Sequence, residues 1–162
     1  MGKLLIHTDR LQIRNLQPSD LAGFHRYRSN PEVTQYQGFD VMDEAECQDF
    51  IRSQANRIFG NPGEWVQYAI AKKDTDELVG DCAINLEKDP RIAHVGITLS
   101  HLEQRKGYAK EALLAIMAFL FDKNDVHRIE EIADDRNTAS IALLESCGFR
   151  KEGHFIENIF FK

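Results

Sequence analysis

An apolar run over residues 112–121 constrains the fold of this chain more than any other stretch. The run is too long for an average strand and apolar on nearly every side, so we expect a helix that the rest of the chain covers on most sides. Just upstream, Val95, Ile97 and Leu99 alternate at the spacing of a strand that buries one face. The order strand, turn, helix is therefore predicted at the centre of the chain.

The turn between this strand and this helix has the chemistry of a phosphate site. Gly107 has no Cβ and lets the backbone approach a ligand closely. Unpaired N–H groups and the positive end of the helix dipole attract phosphate at a helix start. Arg105 and Lys106 add positive charge. Neither GxxxxGK[ST] nor GxGxxG is present, and the alternative is a basic helix start that binds nothing.

Length, charge and cysteine content limit the class of protein. The 162 residues suit one domain, predicted over residues 1–162, and a net charge of -6 disfavours general nucleic-acid binding. The sequence contains no apolar run long enough to cross a membrane and no signal-peptide core, which predicts a cytoplasmic protein. Cys47, Cys82 and Cys147 are scattered without a CxxC pair, so we expect neither a disulfide framework nor a metal site.

The remaining periodicity predicts an α+β fold with a mixed, mostly antiparallel sheet flanked by helices. The predicted strands are residues 4–16, 65–72, 77–86, 92–99, 127–133, 149–155 and 157–161. Besides the central helix, helices are predicted from Pro18, over residues 43–59 and over residues 137–147. The strand after the central helix should lie parallel to the strand before it, through a right-handed crossover.

Four stretches occur in a distinctive order. Residues 104–109 read Gln-x-x-Gly-x-Ala, residues 8–14 read Thr-Asp-Arg-Leu-Gln-Ile-Arg, residues 137–140 read Asn-Thr-Ala-Ser, and residues 144–149 end in Gly-Phe. Together they resemble the GNAT acetyltransferase superfamily, and within it the ribosomal-protein N-acetyltransferase (RimJ/RimL-like) branch. The first stretch is similar to that family's acetyl-CoA motif, and the resemblance covers nearly the whole chain.

The resemblance implies a sheet splayed between the fourth and fifth predicted strands, with acetyl-CoA in the gap. Pantetheine would pair like an added strand with the backbone of Ile97, Thr98 and Leu99. The implied residues for the pyrophosphate and its turn are Gln104, Arg105, Lys106, Gly107, Tyr108 and Ala109, and Asn137 would bind pantetheine. The alternative for the turn is a solvated loop.

The resemblance also implies an acid for the reaction. Direct attack by an amine on the thioester needs a base for the amine, a donor for the oxyanion and a proton for the thiolate. Where many family members have a Tyr acid this chain has Leu144, so the resemblance points to Ser140 instead. The alternatives are a helix N-cap for Asn137 and, for Ser140, a hydrogen bond back to the preceding turn.

The general base is less well defined. His94 lies on the strand face opposite Val95, and histidine is a residue type that commonly acts as a base near neutral pH, although the family often has an acid there. Glu130, Asp134 and a water relay are the alternatives. Cys147 is expected to pack as a small apolar residue rather than act as a nucleophile.

The predicted function is transfer of an acetyl group from acetyl-CoA to a primary amine, either a protein N-terminus or a small amine such as a polyamine or aminoglycoside. A non-catalytic acyl-CoA sensor is the alternative. Acceptor contacts are expected from the first two predicted helices and from the loop of residues 35–40. Related chains commonly continue with a Gly-x-Trp-x-Asp stretch and another strand, so we expect an open edge at Ile159, Phe160 and Phe161 that supports a homodimer.

Overall fold

The structure is a computed structural model that describes residues 2–157, and its centre is a six-stranded sheet with helices on both faces. The strands are β1 (Leu5–His7), β2 (Leu11–Asn15), β3 (Trp65–Lys72), β4 (Leu78–Leu86), β5 (Ile92–Leu99) and β6 (Arg128–Glu130). The α-helices are α1 (Leu21–Arg28), α2 (Pro31–Thr34), α3 (Glu44–Gln54), α4 (Tyr108–Lys123) and α5 (Thr138–Ser146), and a 3₁₀ turn (Pro18–Asp20) precedes α1.

The strands lie in chain order across the sheet, and each neighbouring pair is antiparallel except β5 and β6. These two are parallel, as a crossover through α4 requires. Their ladder runs only from the Ile92–Arg128 pair to the His94–Glu130 pair. Beyond His94, β5 continues to Leu99 paired only with β4 among the described residues. The predicted α+β class and the predicted splay are confirmed.

Each face of the sheet has its own apolar core. On one face, α4 packs through Ala112, Leu113, Ile116 and Leu120, all buried. On the other face, α1 and α3 contribute a second cluster, which includes Phe24, Tyr27 and Ile51.

The prediction that the central helix is covered on most sides was wrong for its outer face. Leu114 is 43% exposed and Phe121 is 41% exposed. Since α4 lies on the outside of a sheet, a single stripe of it is buried even though its sequence is apolar nearly all round. None of the helices within residues 2–157 is long and apolar enough to cross a membrane.

The opening stretch is a hairpin rather than the one strand predicted over residues 4–16. The chain reverses between His7 and Leu11, and Thr8 closes the turn. Its backbone N–H donates to the Leu11 carbonyl at 2.9 Å, and its Oγ1 accepts from the Leu11 N–H at 2.8 Å. Apolar alternation runs through both strands, so it does not reveal the reversal.

The C-terminal predictions also need correction. The fifth predicted strand is shortened to Arg128–Glu130, and residues 149–155 form no strand, with Phe155 exposed to solvent. The predicted strand over residues 157–161 and the proposed dimer edge at Ile159, Phe160 and Phe161 lie almost wholly outside the described residues.

The second predicted helix is also shorter than expected and ends at Gln54.

Candidate active site

A cleft opens where β5 and β6 separate. Its walls come from β5, α4, the segment after β6, α5 and the loop after α2. The lining residues are Gly96, Ile97, Leu113, Glu131, Ile132, Ala133, Asp134, Asn137, Ser140, Leu143, Leu144, Tyr36 and Gln37. The structure thus brings Ile97, Asn137 and Ser140, which are far apart in sequence, around one space.

Asn137 and Ser140 meet at the start of α5. Asn137 is the N-cap, and its Oδ1 accepts from the Ser140 N–H at 3.2 Å. The capping alternative is therefore correct, and it leaves the Asn137 side-chain NH₂ available as a donor. The Ser140 hydroxyl makes no hydrogen bond within residues 2–157, whereas the Ser146 hydroxyl donates back to the Leu143 carbonyl at 2.7 Å. The back-bonding alternative thus applies to Ser146 and not to Ser140.

The predicted phosphate turn lies just before α4. Gly107 is its N-cap in a left-handed conformation, with φ of 81°, and Arg105 is also left-handed, with φ of 64°. Across the described chain, the N–H groups of residues 104–110 donate to no backbone carbonyl. Residues 104–107 are exposed, and Tyr108 and Ala109 are half-buried. Free donors therefore face solvent at the positive end of a 16-residue helix.

The two cations of this turn differ in their surroundings. The Lys106 ammonium lies 2.9 Å from the carboxylate of Glu103, which also pairs with Lys72 at 3.3 Å. Burial opposes ionisation of Glu103, but the bonds from the two lysines outweigh it and lower its pKa. Lys106 is thus held by an ionised carboxylate, whereas Arg105 projects from an exposed position.

The β5 residues predicted to bind pantetheine lie along the edge that β6 leaves open. Ile97 and Leu99 pack against the core beneath α4, and Thr98 is buried toward the opposite face beside its cross-strand partner Asp81. The side chains of these three residues thus pack against both faces of the sheet, and the backbone of β5 is left at the open edge.

His94 lies at the end of the β5–β6 ladder, outside the cleft lining. Its Nε2 is 2.7 Å from a carboxylate oxygen of Glu87, and Glu130 faces it across the ladder. The ligand atoms of these three residues all lie within 4.8 Å of one another, a grouping able to hold a metal ion. Arg128 pairs with Glu130 at 2.5 Å. The role of His94 as a base and the expected absence of a metal both stay predictions.

Glu131 is a cleft residue that the sequence analysis did not select. Burial raises the pKa of its carboxyl to about 8. Of the two acids considered earlier, Glu130 pairs with Arg128, and Asp134 lines the cleft but bonds to Arg136 at 2.7 Å, which holds its pKa well below the usual range. The sequence signal that could have identified Glu131 is strand alternation. Since Glu130 lies beside His94, the next side chain along the chain, that of Glu131, points to the opposite face.

A buried polar cluster fixes the loop that borders the cleft. Asp81 is fully buried and accepts hydrogen bonds from the hydroxyl of Tyr27, from Gln67 and from Arg28, whose Nη2 lies at 2.7 Å. The guanidinium of Arg28 lies 3.8 Å from the ring centre of Phe39. This cluster ties α1 and the segment after α2 to the centre of the sheet, beside Tyr36 and Gln37 of the cleft.

Comparisons with known proteins agree with the geometry. Residues 10–150 match a family model described as an acetyltransferase (GNAT) domain. The chain is similar to the uncharacterized N-acetyltransferase p20 of Bacillus licheniformis, with 32% identity over 150 residues that cover 91% of this chain and 83% of that protein. It is also similar to spermidine N(1)-acetyltransferase of Vibrio cholerae, with 27% identity over 93% of this chain and 85% of that protein.

Solved structures share the fold. An acetyltransferase (GNAT family) from Bacillus anthracis superposes with a TM-score of 0.86 and 26% identity, covering 96% of this chain and 89% of that one. RimL, a ribosomal L7/L12 alpha-N-protein acetyltransferase solved with coenzyme A, superposes with a TM-score of 0.82 and 20% identity, covering 97% of this chain and 90% of that one. The matched family model, the identity to p20 and the shared fold establish that this chain belongs to the GNAT family of acetyl-CoA-dependent N-acetyltransferases.

Proposed function

We propose that this protein acetylates a primary amine by direct attack of the amine on acetyl-CoA, without a covalent enzyme intermediate. The observation that carries the proposal is the cleft beyond the His94–Glu130 pair, which contains Ser140 and Asn137 beside the open edge of β5. Cys147 is buried in the core and does not line the cleft, which is consistent with its expected packing role and not with a role as nucleophile.

The proposed path of acetyl-CoA follows the open backbone groups. Pantetheine pairs with the edge of β5 at Ile97, Thr98 and Leu99, and the Asn137 amide donates to it. The pyrophosphate accepts from the N–H groups of the turn, which comprises Gln104, Arg105, Lys106, Gly107, Tyr108 and Ala109. Arg105 supplies positive charge to the pyrophosphate, because the charge of Lys106 is paired with Glu103.

The proposed reaction makes a C–N bond and breaks a C–S bond. The neutral amine attacks the thioester carbonyl, and the ammonium that forms gives a proton to the ionised Glu131 carboxylate. The thiolate leaves and takes a proton from the Ser140 hydroxyl, which has no competing partner in residues 2–157. Ser140 regains a proton from solvent, to which Glu131 releases the proton that it took from the amine, so both groups return to their starting state. A pKa of about 8 suits Glu131 to this task near neutral pH, and His94 is the second candidate base.

The proposed acceptor is a small cationic amine or a protein N-terminus, the two kinds of substrate that the names of the spermidine acetyltransferase and RimL carry. Glu131, Asp134 and the ring of Tyr36 border the cleft, and Asp134 is paired with Arg136. The negative charge available to an acceptor is therefore that of the ionised Glu131 carboxylate, which favours a cationic amine over a neutral hydroxyl. A cytoplasmic location and a homodimer stay predictions.

Calorimetry with acetyl-CoA, followed by release of free thiol, tests this proposal. The acceptor panel contains spermidine, an aminoglycoside and a peptide with a free N-terminus, and the same peptide with a blocked N-terminus is the control. Binding with thiol release from one amine class supports the proposal. Binding without thiol release on any amine favours the sensor alternative, and no binding of acetyl-CoA contradicts the proposed cofactor site.

A further inference from the structure

The opening hairpin contacts the phosphate turn, although nearly 100 residues separate them in sequence. The Thr8 hydroxyl donates to one carboxylate oxygen of Glu111 at 2.6 Å, and the Arg10 backbone N–H donates to the same oxygen at 3.1 Å. The Arg10 Nε donates to the other carboxylate oxygen at 2.8 Å. Glu111 lies in the first turn of α4, so three bonds fix the hairpin to the start of that helix.

Arg10 also reaches the turn itself. Its Nη1 donates to the Lys106 carbonyl at 3.0 Å, and its guanidinium carbon lies 4.5 Å from the ring centre of Tyr108. Its Nη2 lies 3.3 Å from the position that a Cβ on Gly107 would take. Arg10 therefore spans from Glu111 to the peptide group that joins Lys106 and Gly107.

This contact determines which way the turn presents its donors. The C=O and N–H of a trans peptide group point in opposite directions, and none of the described peptide bonds is cis. Because Arg10 holds the Lys106 carbonyl, the Gly107 N–H is directed away from Arg10 and toward the exposed side of the turn. A rotation of this peptide group would withdraw that donor.

The turn needs such support. Arg105 and Gly107 both have positive φ, and a non-glycine residue in this region is strained. Burial opposes ionisation of Glu111, but the bonds from Thr8 and Arg10 outweigh it and lower its pKa, so the carboxylate that anchors Arg10 is charged at neutral pH. Because Glu111 neutralises the Arg10 guanidinium, Arg10 adds little net charge to the turn. Its main effect is to orient the peptide group between Lys106 and Gly107.

We propose that Arg10, anchored by Glu111 and by the Thr8 turn, is a positioning residue that holds the Gly107 N–H ready for the pyrophosphate of acetyl-CoA. The inference rests on the proposed cofactor site and assigns a purpose to the Thr-Asp-Arg stretch at residues 8–10, which lies outside the cleft.

The test compares Arg10→Lys and Arg10→Ala with the wild-type enzyme. Lysine keeps the charge but lacks the planar fork that bridges Glu111 and the Lys106 carbonyl. We expect both variants to weaken CoA binding by roughly tenfold, measured by calorimetry. The matched control is Arg52→Ala, since Arg52 is a surface arginine on α3 that pairs only with Asp49 within the described residues.

Acetyl-pantetheine provides a readout that a general loss of structure would not give. It contains the thioester and the pantetheine but no phosphate, so we expect its turnover to be equal in wild type and both Arg10 variants. With saturating acetyl-CoA, kcat should also stay within about twofold of wild type while KM for acetyl-CoA rises.

Each outcome separates the two proposals. If wild type binds CoA and both Arg10 variants bind it equally well, the positioning role is wrong and the cofactor site stands. If Arg10→Lys alone binds like wild type, charge is sufficient and the positioning role is again wrong. Equal losses with acetyl-pantetheine would mean that the substitution disturbs the whole site, which also contradicts the inference. A wild-type protein that binds no CoA overturns the proposed function as well.

Discussion

His94 and Glu130 form the last pair of the β5–β6 ladder, and the cleft begins directly beyond them. The pair therefore marks the boundary between a closed sheet and an open one. Gly96 and Ile97 follow on one strand, and Glu131 follows on the other. Every residue assigned a chemical role in the proposed transfer, apart from His94, lies on the open side of this boundary.

Ser140→Ala tests the proposed acid. We expect kcat to fall roughly tenfold to hundredfold, because the thiolate loses its proton donor, while calorimetric binding of acetyl-CoA changes little. Ser146→Ala is the control, since Ser146 is on the same helix and its hydroxyl is bonded to the Leu143 carbonyl. Unchanged turnover in Ser140→Ala would remove Ser140 from the mechanism.

Glu131→Gln tests the proposed base through pH. Activity of the wild type should rise as the pH passes about 8, where the Glu131 carboxyl ionises, and this rise should be absent in the variant. His94→Gln provides the comparison with the second candidate. If Glu131→Gln keeps the wild-type pH profile and His94→Gln loses it, then His94 and not Glu131 is the base.

The raised pKa of Glu131 also predicts how stability depends on pH. Between the ordinary value of 4.5 and about 8, the folded state holds more protons on this group than the unfolded state does. The contribution of Glu131 to the free energy of unfolding should therefore fall as the pH rises through this window and level off above it. Urea unfolding of wild type and Glu131→Gln at several pH values measures the difference, which should grow from pH 5 to pH 8 if burial is the cause.

Gly107→Ala and Gly148→Ala form a matched pair. Both glycines have positive φ, 81° and 92°, so each alanine should cost about 1 kcal/mol of stability from backbone strain. A Cβ at Gly148 meets open space, whereas at Gly107 it meets Arg10 beside the phosphate turn. Thermal unfolding should thus shift in both variants, and CoA affinity should fall only in Gly107→Ala. Equal CoA affinity in the two variants would contradict the assigned turn.

Asp81→Ala tests the buried cluster behind the cleft. Removing the carboxylate leaves the Arg28 guanidinium buried without its partner, and we expect a loss of about 3 to 5 kcal/mol in urea unfolding. Asp49→Ala is the comparison, because it removes an exposed partner of Arg52 and should have little effect. A similar, small effect in both variants would show that the Asp81 cluster does not hold α1 to the sheet.

The features that the sequence predicted are those with local causes. Alternation in β5, a Gly in the turn and a long apolar run in α4 are each readable within a few residues. The N-cap at Asn137 follows from the residue type alone. These local signals were sufficient for the central strand, turn and helix and for the N-cap of α5.

The features that the sequence did not predict depend on distant partners. The reversal at Thr8 is stabilised by Glu111, which is 103 residues away, and contains neither Gly nor Pro to mark it. Glu131 becomes a cleft residue only once the register of β6 against His94 is known. The sequence predicts Lys106 as a phosphate ligand but does not show that its ammonium pairs with Glu103. That pairing depends on the fold, which buries Glu103 beside Lys72.

The open edge of β5 also affects how the empty protein behaves at high concentration. Unpaired strand edges act as templates on which other chains add, and proteins usually cover them. From Val95 to Leu99 no neighbouring strand within residues 2–157 covers the outer side of β5. The same backbone groups that recognise a ligand are thus a starting point for aggregation, and CoA should slow the growth of light scattering in a concentrated, gently heated sample by occupying them.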